Sequence, residues 1–399
     1  MILDVYLYDE LVGFLYTDKK YGLSFKYRDG NKKAISISMP LSDVEYRKKI
    51  VEPFFSGLLP DGDIRDQLAR NIQVSPNSII RLLEHYGREI AGAMVIIDHD
   101  ENYVSEPYSY REISEEDIAK KIRDADSENL LIWGNDIRLS LAGAQNKMPL
   151  YHSDGKWFLP CGNSPSNCIV KPGKTIAVNE FIVTGLAREC GFNVPRIELV
   201  NFEDQTAFVS YRFDRTVVDG RLTRLHQEDM CQALSIPPDK KYENEGGPGI
   251  NAIINLLSDY SVSPITDIRE FLKVVVFNYI VGNCDSHGKN YSFIYDIEGR
   301  TKLAPFYDLV CTTIYPGISR ELSMKIGKTK NIDLLCKDDF YKIAGTTKNA
   351  MEMITEEVVK LYEKAIEKIK NNVELSSECC EMFERIYADS LPRLERLGG

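Results

Sequence analysis

Over the first hundred residues, alternating apolar and polar positions give way to helical spacing and then return. LVGFLYTDKKYGLSFKYR, residues 11–28, holds two aromatic-rich alternating runs split by a polar turn, which predicts a hairpin. KKAISISMP, from Lys32 to Pro40, alternates again. FFSGLLPDGDIRDQLARN turns helical after Pro60-Asp61-Gly62. SPNSIIRLLEHYG predicts a helix with Ser75 as its cap, Pro76 in the first turn and Gly87 as its stop. GREIAGAMVII returns to a strand, and the polar, irregular stretch 99–112 reads as a linker. Residues 1–105 are thus expected to form a small α+β subdomain.

The next block changes period several times. EEDIAKKIRDAD is a charged helix with Ile118 and Ile122 on one side. RLSLAGAQNKMPLYHSDGKWFLP predicts two strands around a turn at Ser153-Asp154-Gly155, with a glycine-containing loop before the first. NCIVKPG is a short buried strand that ends in Lys171 and is broken by Pro172. AVNEFIVTGLARECG puts Ile182, Val183, Leu186, Ala187 and Cys190 on one helical face and stops at Gly191. VPRIELVNF and TAFVSYRF are strands joined at Glu203-Asp204-Gln205. Glycine loop, hairpin, lysine strand, helix and two strands is the order of a kinase small lobe, here residues 106–213.

Beyond Phe213 the spacing is mainly helical. HQEDMCQALS predicts a short helix, PPDKKYENEGGPG a loop and NAIINLLSDY a helix. DIREFLKVVVFNYIVGN is apolar nearly all round and predicts a buried central helix. Ile354, Val358, Leu361, Ala365 and Ile369 line one face of a surface helix, and the C-terminal segment predicts another. Residues 214–399 therefore read as a mainly helical large lobe. The expected fold class is α+β, two-lobed and protein-kinase-like.

Composition narrows the function classes. At 399 residues, 43% hydrophobic and 27% charged, the chain has an ordinary globular make-up. A net charge of −11 argues against a nucleic-acid or membrane-surface binder acting through the whole chain. The N-terminus carries Asp4, Asp9 and Glu10 within its apolar run and reads as a strand, not a signal peptide. No uncharged apolar window is long enough for a transmembrane helix. Nine cysteines without a C-x-x-C pair point to a reducing cytoplasm and free thiols.

The candidate chemistry lies in GNCDSHGKNYSF, residues 282–293, and FYDL, residues 306–309. Asp285, Asn290 five positions later and Asp308 across a short hairpin match the needs of a kinase-type site. One carboxylate orients an attacking hydroxyl and accepts its proton, while the amide and the second carboxylate hold magnesium against ATP phosphates. Lys171, at the end of a buried strand, either pairs with those phosphates or caps the strand end. Glu180 either pairs with Lys171 or complements the dipole of its own helix. SLAGAQNK, residues 140–147, is neither a G-x-G-x-x-G nor a Walker A sequence, but its small residues let backbone N–H groups approach phosphates. Ser140 is a hydroxyl beside that loop. His287 and Lys289 either touch phosphate or shape the loop, and Tyr307 reads as packing.

Together SLAGAQNK, IVKPG, NEF, YRFDR, HQEDMCQAL, KYENEGGPG, GNCDSHGKN, LAPFYDL and SMKIG resemble the HipA family of serine/threonine kinases, the toxins of HipA–HipB toxin–antitoxin pairs. FFSGLLPDG matches the family's N-terminal subdomain, so the resemblance spans nearly the whole chain. It implies that Asp285 is the catalytic base and that Asn290 and Asp308 bind magnesium. It also implies that Lys171 contacts the ATP phosphates. Ala142, Gly143, Ala144, Gln145, Asn146 and Lys147 would form the phosphate loop, with Tyr211, Arg212 and Phe213 at the adenine hinge. His287, Lys289 and Tyr307 would border the nucleotide. Ser140 matches the serine that the family autophosphorylates, a change that ejects the phosphate loop and inactivates the kinase. Some members have Glu where this chain has Tyr211.

The resemblance further implies ATP and Mg2+ as cofactors and an aminoacyl-tRNA synthetase as protein substrate, glutamyl-tRNA synthetase first. The expected partner is a small HipB-like helix-turn-helix antitoxin, through which operator DNA is mainly contacted; no membrane is expected. Two other readings stand beside this one. One is a catalytically weak nucleotide-binding scaffold that binds an antitoxin and co-represses its operon, and the other is a small-molecule phosphotransferase.

Overall fold

The structure is a computed structural model that describes every residue except 19, 21, 105–106, 127–128, 134–136, 139–141, 144, 344, 373–374 and 399. The chain opens with strands β1 (Ile2–Leu7), β2 (Glu10–Asp18) and β3 (Gly22–Tyr27) and helices α1 (Lys48–Gly57), α2 (Gly62–Asn71) and α3 (Ile79–Tyr86). β4 (Met94–Asp98), β5 (Ser109–Ile113) and α4 (Glu115–Arg123) follow, then the short β6 (Ile132–Trp133) and β7 (Ile137–Arg138). β8 (Met148–Ser153), β9 (Lys156–Cys161), β10 (Cys168–Pro172), α5 (Lys174–Glu189), β11 (Ile197–Phe202) and β12 (Gln205–Tyr211) come next. The later helices are α6 (Met230–Ala233), α7 (Ile250–Tyr260), α8 (Pro264–Val281), α9 (Lys337–Phe340), α10 (Lys348–Asn372) and α11 (Ser377–Gly398).

Compactness divides the chain into two units, each assembled from separate stretches of sequence. The first holds Met1–Gly173, Val200–Asp239 and Phe293–Gly299. It contains a four-stranded sheet in the order β3-β2-β1-β4 and a six-stranded sheet in the order β11-β12-β10-β8-β9-β5. Buried side chains from both sheets, from Leu3 and Val5 to Val170 and Val209, belong to one continuous apolar cluster. The second unit holds Lys174–Leu199, Lys240–Ser292 and Arg300–Gly399. Its centre is α8, in which every side chain from Phe271 to Val281 is buried. That all-round burial overrides the weak helix preference of its β-branched residues.

Local expectations hold for most of these elements and fail at four places, the first being the expected linker 99–112, whose end enters β5 and pairs with β9. KKAISISMP forms a turn closed by a single bridge between Ser36 and Met39, not a strand. Alternation alone does not make a strand unless a neighbouring strand takes the backbone bonds, and here those residues serve polar contacts described below. Helix α3 starts at Ile79, after Pro76 rather than around it. Within HQEDMCQALS, Gln227–Asp229 is a strand, and only Met230–Ala233 is helical, with Asp229 as a capping-box residue.

Candidate active site

In the second unit, helix α8 ends at Gly282, whose φ of 76° turns the chain sharply into the loop 283–290. That loop is fixed from several sides. Asn283 Oδ1 accepts from the Asp285 N–H at 3.1 Å, and Asn283 Nδ2 donates to Asn278 Oδ1 at 3.1 Å. The Cys284 carbonyl accepts from Ser323 N at 3.0 Å and from Ser323 Oγ at 2.7 Å. Asn278 Nδ2 donates to Ser286 Oγ at 2.9 Å and to the Tyr291 hydroxyl at 3.2 Å. Such a network holds a polar loop in one conformation where an apolar one would slide.

Asn290 is buried, and its Nδ2 donates to the Asp285 carbonyl at 3.0 Å. This bond commits the nitrogen of the amide and leaves Oδ1, the atom type that magnesium takes. Asp308 has a φ of 54°, a left-handed conformation that is uncommon for a residue with a Cβ and that collects at functional sites. Its neighbour Tyr307 donates to the Lys289 carbonyl at 2.7 Å and lies 2.6 Å from Ser292 Oγ. Tyr307 thus ties the Asp308 segment to the loop that carries Asp285 and Asn290. Among the described residues no group of three His, Cys, Asp or Glu side chains is arranged to hold a metal. One amide and one carboxylate, completed by phosphate oxygens, is a different donor set, and Asn290 and Asp308 fit it.

Asp285 reaches solvent, yet the protein around it desolvates the carboxyl and raises its pKa. A hydrogen bond from Tyr242 and the charge of Lys241 work in the opposite direction. The Tyr242 hydroxyl donates to Asp285 Oδ1 at 2.8 Å. The sequence places Tyr242 only in a loop, and nothing in the local pattern marks it as a neighbour of Asp285, 43 positions away. His287 is buried and kept neutral, with desolvation, then Lys241, driving its pKa down to about 3. Lys289 is buried as well.

In the first unit, period two puts Cys168 and Val170 of β10 into the apolar cluster and turns Lys171 to the opposite face. Lys171 is 6% exposed, pairs in register with Phe208 of β12 and holds its ammonium 5.8 Å from that ring. The Lys147 ammonium donates to the Ala142 carbonyl at 2.7 Å, and a Cβ on Gly143 would come within 2.6 Å of it. The loop therefore closes over a buried cation, and Gly143 is the residue that permits the approach. The Gly143 carbonyl accepts from Asp61 N at 3.3 Å, so PDG of the N-terminal segment braces the loop. Gln145 Nε2 is buried and has no hydrogen-bond partner among the described residues. Ser140 and Ala144 lie outside the described residues.

Of the three expected hinge residues, Tyr211 bonds His152 Nδ1 through its hydroxyl at 2.7 Å. Arg212 commits its N–H to the Asn167 carbonyl at 2.8 Å and its guanidinium to Glu89 and Asp214. Any nucleotide contact from Arg212 would therefore run through its carbonyl. Phe213 is half-buried. On α5 of the second unit, Glu180 is buried.

Residues 139–372 match the model of the HipA-like C-terminal domain and residues 3–97 that of the HipA N-terminal domain. The chain belongs to the HipA family. A Sinorhizobium fredii protein named "Putative kinase Y4mE" is 33% identical over 408 residues, covering 98% of this chain and 96% of that protein. The serine/threonine-protein kinase toxin HipA of Shewanella oneidensis is 31% identical over 307 residues, covering 73% of this chain and 70% of the toxin. A solved HipA structure from Shewanella oneidensis, in complex with HipB and its operator DNA, superposes with a TM-score of 0.86 at 26% identity. It covers 99% of this chain and 97% of that one. The chain accordingly has the α+β, kinase-like fold of HipA. The C-terminal family match ends at residue 372, before α11, whereas the superposed HipA structure covers 99% of this chain. Among the described residues no disulfide joins the cysteines, and no helix is long and apolar enough to cross a membrane.

Proposed function

We propose that this HipA-family chain is an ATP-dependent serine/threonine protein kinase and the toxin of a HipA–HipB-type pair. The observation that carries the reading is the bracing of loop 283–290, in which Asn290 clasps the Asp285 backbone and leaves its amide oxygen available. Asp285 accepts the proton of the acceptor hydroxyl as its oxygen attacks the γ-phosphorus of ATP and ADP departs. Asn290 and Asp308 would hold magnesium, which when bound screens the phosphate charge. Lys171 would pair with the phosphates, and the small-residue loop Ala142 to Lys147 would cover them with backbone N–H groups. Tyr211, Arg212 and Phe213 would meet the adenine through backbone atoms, while His287, Lys289 and Tyr307 would shape the nucleotide's surroundings.

The acceptor we infer is a serine of an aminoacyl-tRNA synthetase, glutamyl-tRNA synthetase first, in the cytoplasm. A helix-turn-helix antitoxin would hold the chain and supply most contacts to operator DNA, which suits a chain of net charge −11. Ser140 would be the self-phosphorylation site. A phosphate of nearly two negative charges beside a loop that holds ATP phosphates would displace that loop.

Labelled ATP tests these roles together. The wild-type chain is expected to label itself and purified glutamyl-tRNA synthetase. Asp285→Asn should lose about 10²–10⁴-fold in rate while still binding ATP. Ser140→Ala should keep its initial rate and lose self-inactivation. An Asp285→Asn variant as active as the wild type, or a wild-type chain that labels neither protein, would falsify the kinase reading.

A further inference from the structure

We propose that Tyr242 is a positioning residue of the phosphoryl-transfer reaction, holding the Asp285 carboxylate by one oxygen so that the other faces the acceptor hydroxyl. The proposal deepens the reading above and rests on Asp285 being the base. It also gives a use to KYENEGGPG, a motif that nucleotide binding leaves unexplained, and a second use to the histidine of DSHG.

Tyr242 donates to Asp285 Oδ1 at 2.8 Å. An ionised carboxylate accepts through both oxygens, so this bond fixes the rotamer without blocking the second one. A base on a short side chain otherwise turns freely about its χ angles, and rate falls steeply when a reacting group leaves its productive orientation.

The glycine-rich loop carries the phenol to that place. Tyr242 precedes the 3-10 turn Glu243–Glu245, and the Gly247 N–H returns to the Tyr242 carbonyl at 2.8 Å. A Cβ on Gly247 would lie 2.5 Å from the Lys240 carbonyl oxygen and 2.6 Å from the Lys241 carbonyl carbon. Any other residue there would push the chain away from Tyr242. The loop is also fastened to its surroundings. The Lys241 carbonyl accepts from Gly288 N at 3.4 Å, and Glu243 accepts from Lys325 N at 2.6 Å while its carboxylate lies 3.4 Å from the Lys325 ammonium.

His287 supports the ring itself. Its imidazole stands edge-on to Tyr242, with centroids 5.2 Å apart and planes at 82°, and is 5% exposed. The ring contact does not need the phenol oxygen. Tyr242→Phe therefore removes the bond to Asp285 and keeps the packing against His287.

Four proteins make the test: the wild type, Tyr242→Phe, Asp285→Asn and the double variant. The rates measured are phosphate transfer from labelled ATP to the chain itself and to purified glutamyl-tRNA synthetase. Tyr242→Phe is expected to lower kcat about tenfold, with KM for ATP, calorimetric ATP affinity and the unfolding midpoint unchanged. In the Asp285→Asn background the same change should cost nothing more, because there is no base left to position. A wild-type kcat in Tyr242→Phe, a loss confined to KM or ATP affinity, or a second tenfold loss on top of Asp285→Asn each overturns the proposal. The two readings fail differently. If Asp285→Asn is inactive and Tyr242→Phe is normal, only the positioning role is lost. If Asp285→Asn matches the wild type, or the wild type labels neither protein, the base assignment falls first.

Discussion

Glu89 sits in the interior of the first unit and accepts from three guanidinium groups at 2.8–3.0 Å, those of Arg212, Arg215 and Arg224. Asp214 takes Arg212 at 2.7 Å and Arg215 at 3.0 Å, and also accepts from Gly92 N at 2.8 Å. Burial alone would raise the Glu89 carboxyl, but the arginines and Ser166 hold it down at about 2. Asp214 is held well below the carboxylate range, against its burial, by Arg212 and Arg215 and by the Gly92 N–H. Glu89→Gln leaves three buried cations with a single carboxylate and is expected to cost about 3–5 kcal/mol in urea unfolding at neutral pH. A depressed carboxyl contributes its stability above the unfolded pKa and loses it as pH falls toward the folded value. The wild type should therefore weaken below about pH 4.5, and the variant should show a shallower acid slope, with Asp214 supplying the remainder. YRFDR is conspicuous in the sequence and the hinge was the expectation for Arg212. Its partner Glu89, 123 positions away, is supplied only by folding.

Helix α11 packs on α5, α8 and α10, and it also reaches the loops of the candidate site. Arg393 is buried and donates Nε to the Ile280 carbonyl at 3.0 Å and an Nη to Asp389 at 2.5 Å. Asp389 also accepts from Thr313 Oγ1 at 2.5 Å. Thr312 and Thr313 in turn donate their N–H groups to the Gly282 carbonyl at 2.9 and 3.2 Å. The pair therefore joins the end of α8, just before Asp285, to the segment that follows Asp308. Asp389→Ala is expected to destabilise the chain by about 3 kcal/mol, because it leaves Arg393 buried without its counter-charge. Phosphate transfer from labelled ATP should fall with it. The amphipathic pattern announces α11 as a helix. It does not announce what Arg393 holds, since a charged residue on a helix is by base rate a solvated one. KKAISISMP is the converse case. Its alternation suggests a strand, but Ser36 Oγ and Ile37 N donate to Glu228 at 2.6 and 2.9 Å, and the Ile35 carbonyl lies 2.8 Å from His226 Nε2. Those polar contacts hold the stretch in place of a neighbouring strand.

At the scale of the molecule, the matched N-terminal domain is not an appendage of the first unit. Glu89, Ser36, Ile37 and Gly92 all lie between residues 34 and 97, and their partners Arg212, Arg215, Arg224, Glu228 and Asp214 all lie beyond residue 200. Gln232 Nε2 adds a bond to the Phe54 carbonyl at 3.0 Å. A fragment of residues 98–399 would expose the apolar cluster and strand these buried charges. It is expected to be insoluble or to lack a cooperative thermal transition, whereas the whole chain should unfold with one for this unit. The sequence by itself determined the elements, because helix and strand periodicity are local and buried side chains must repeat with them. It also determined the family and the candidate chemistry, because Asp285, Asn290 and Asp308 lie close together along the chain. Tertiary structure alone decided that α5 packs with α10 and α11 and that Tyr242 meets Asp285. It also decided that Arg212 turns to Glu89. Each of these joins residues far apart in sequence, and such pairings are selected by burial and charge neutralisation over the whole fold, which no local pattern records.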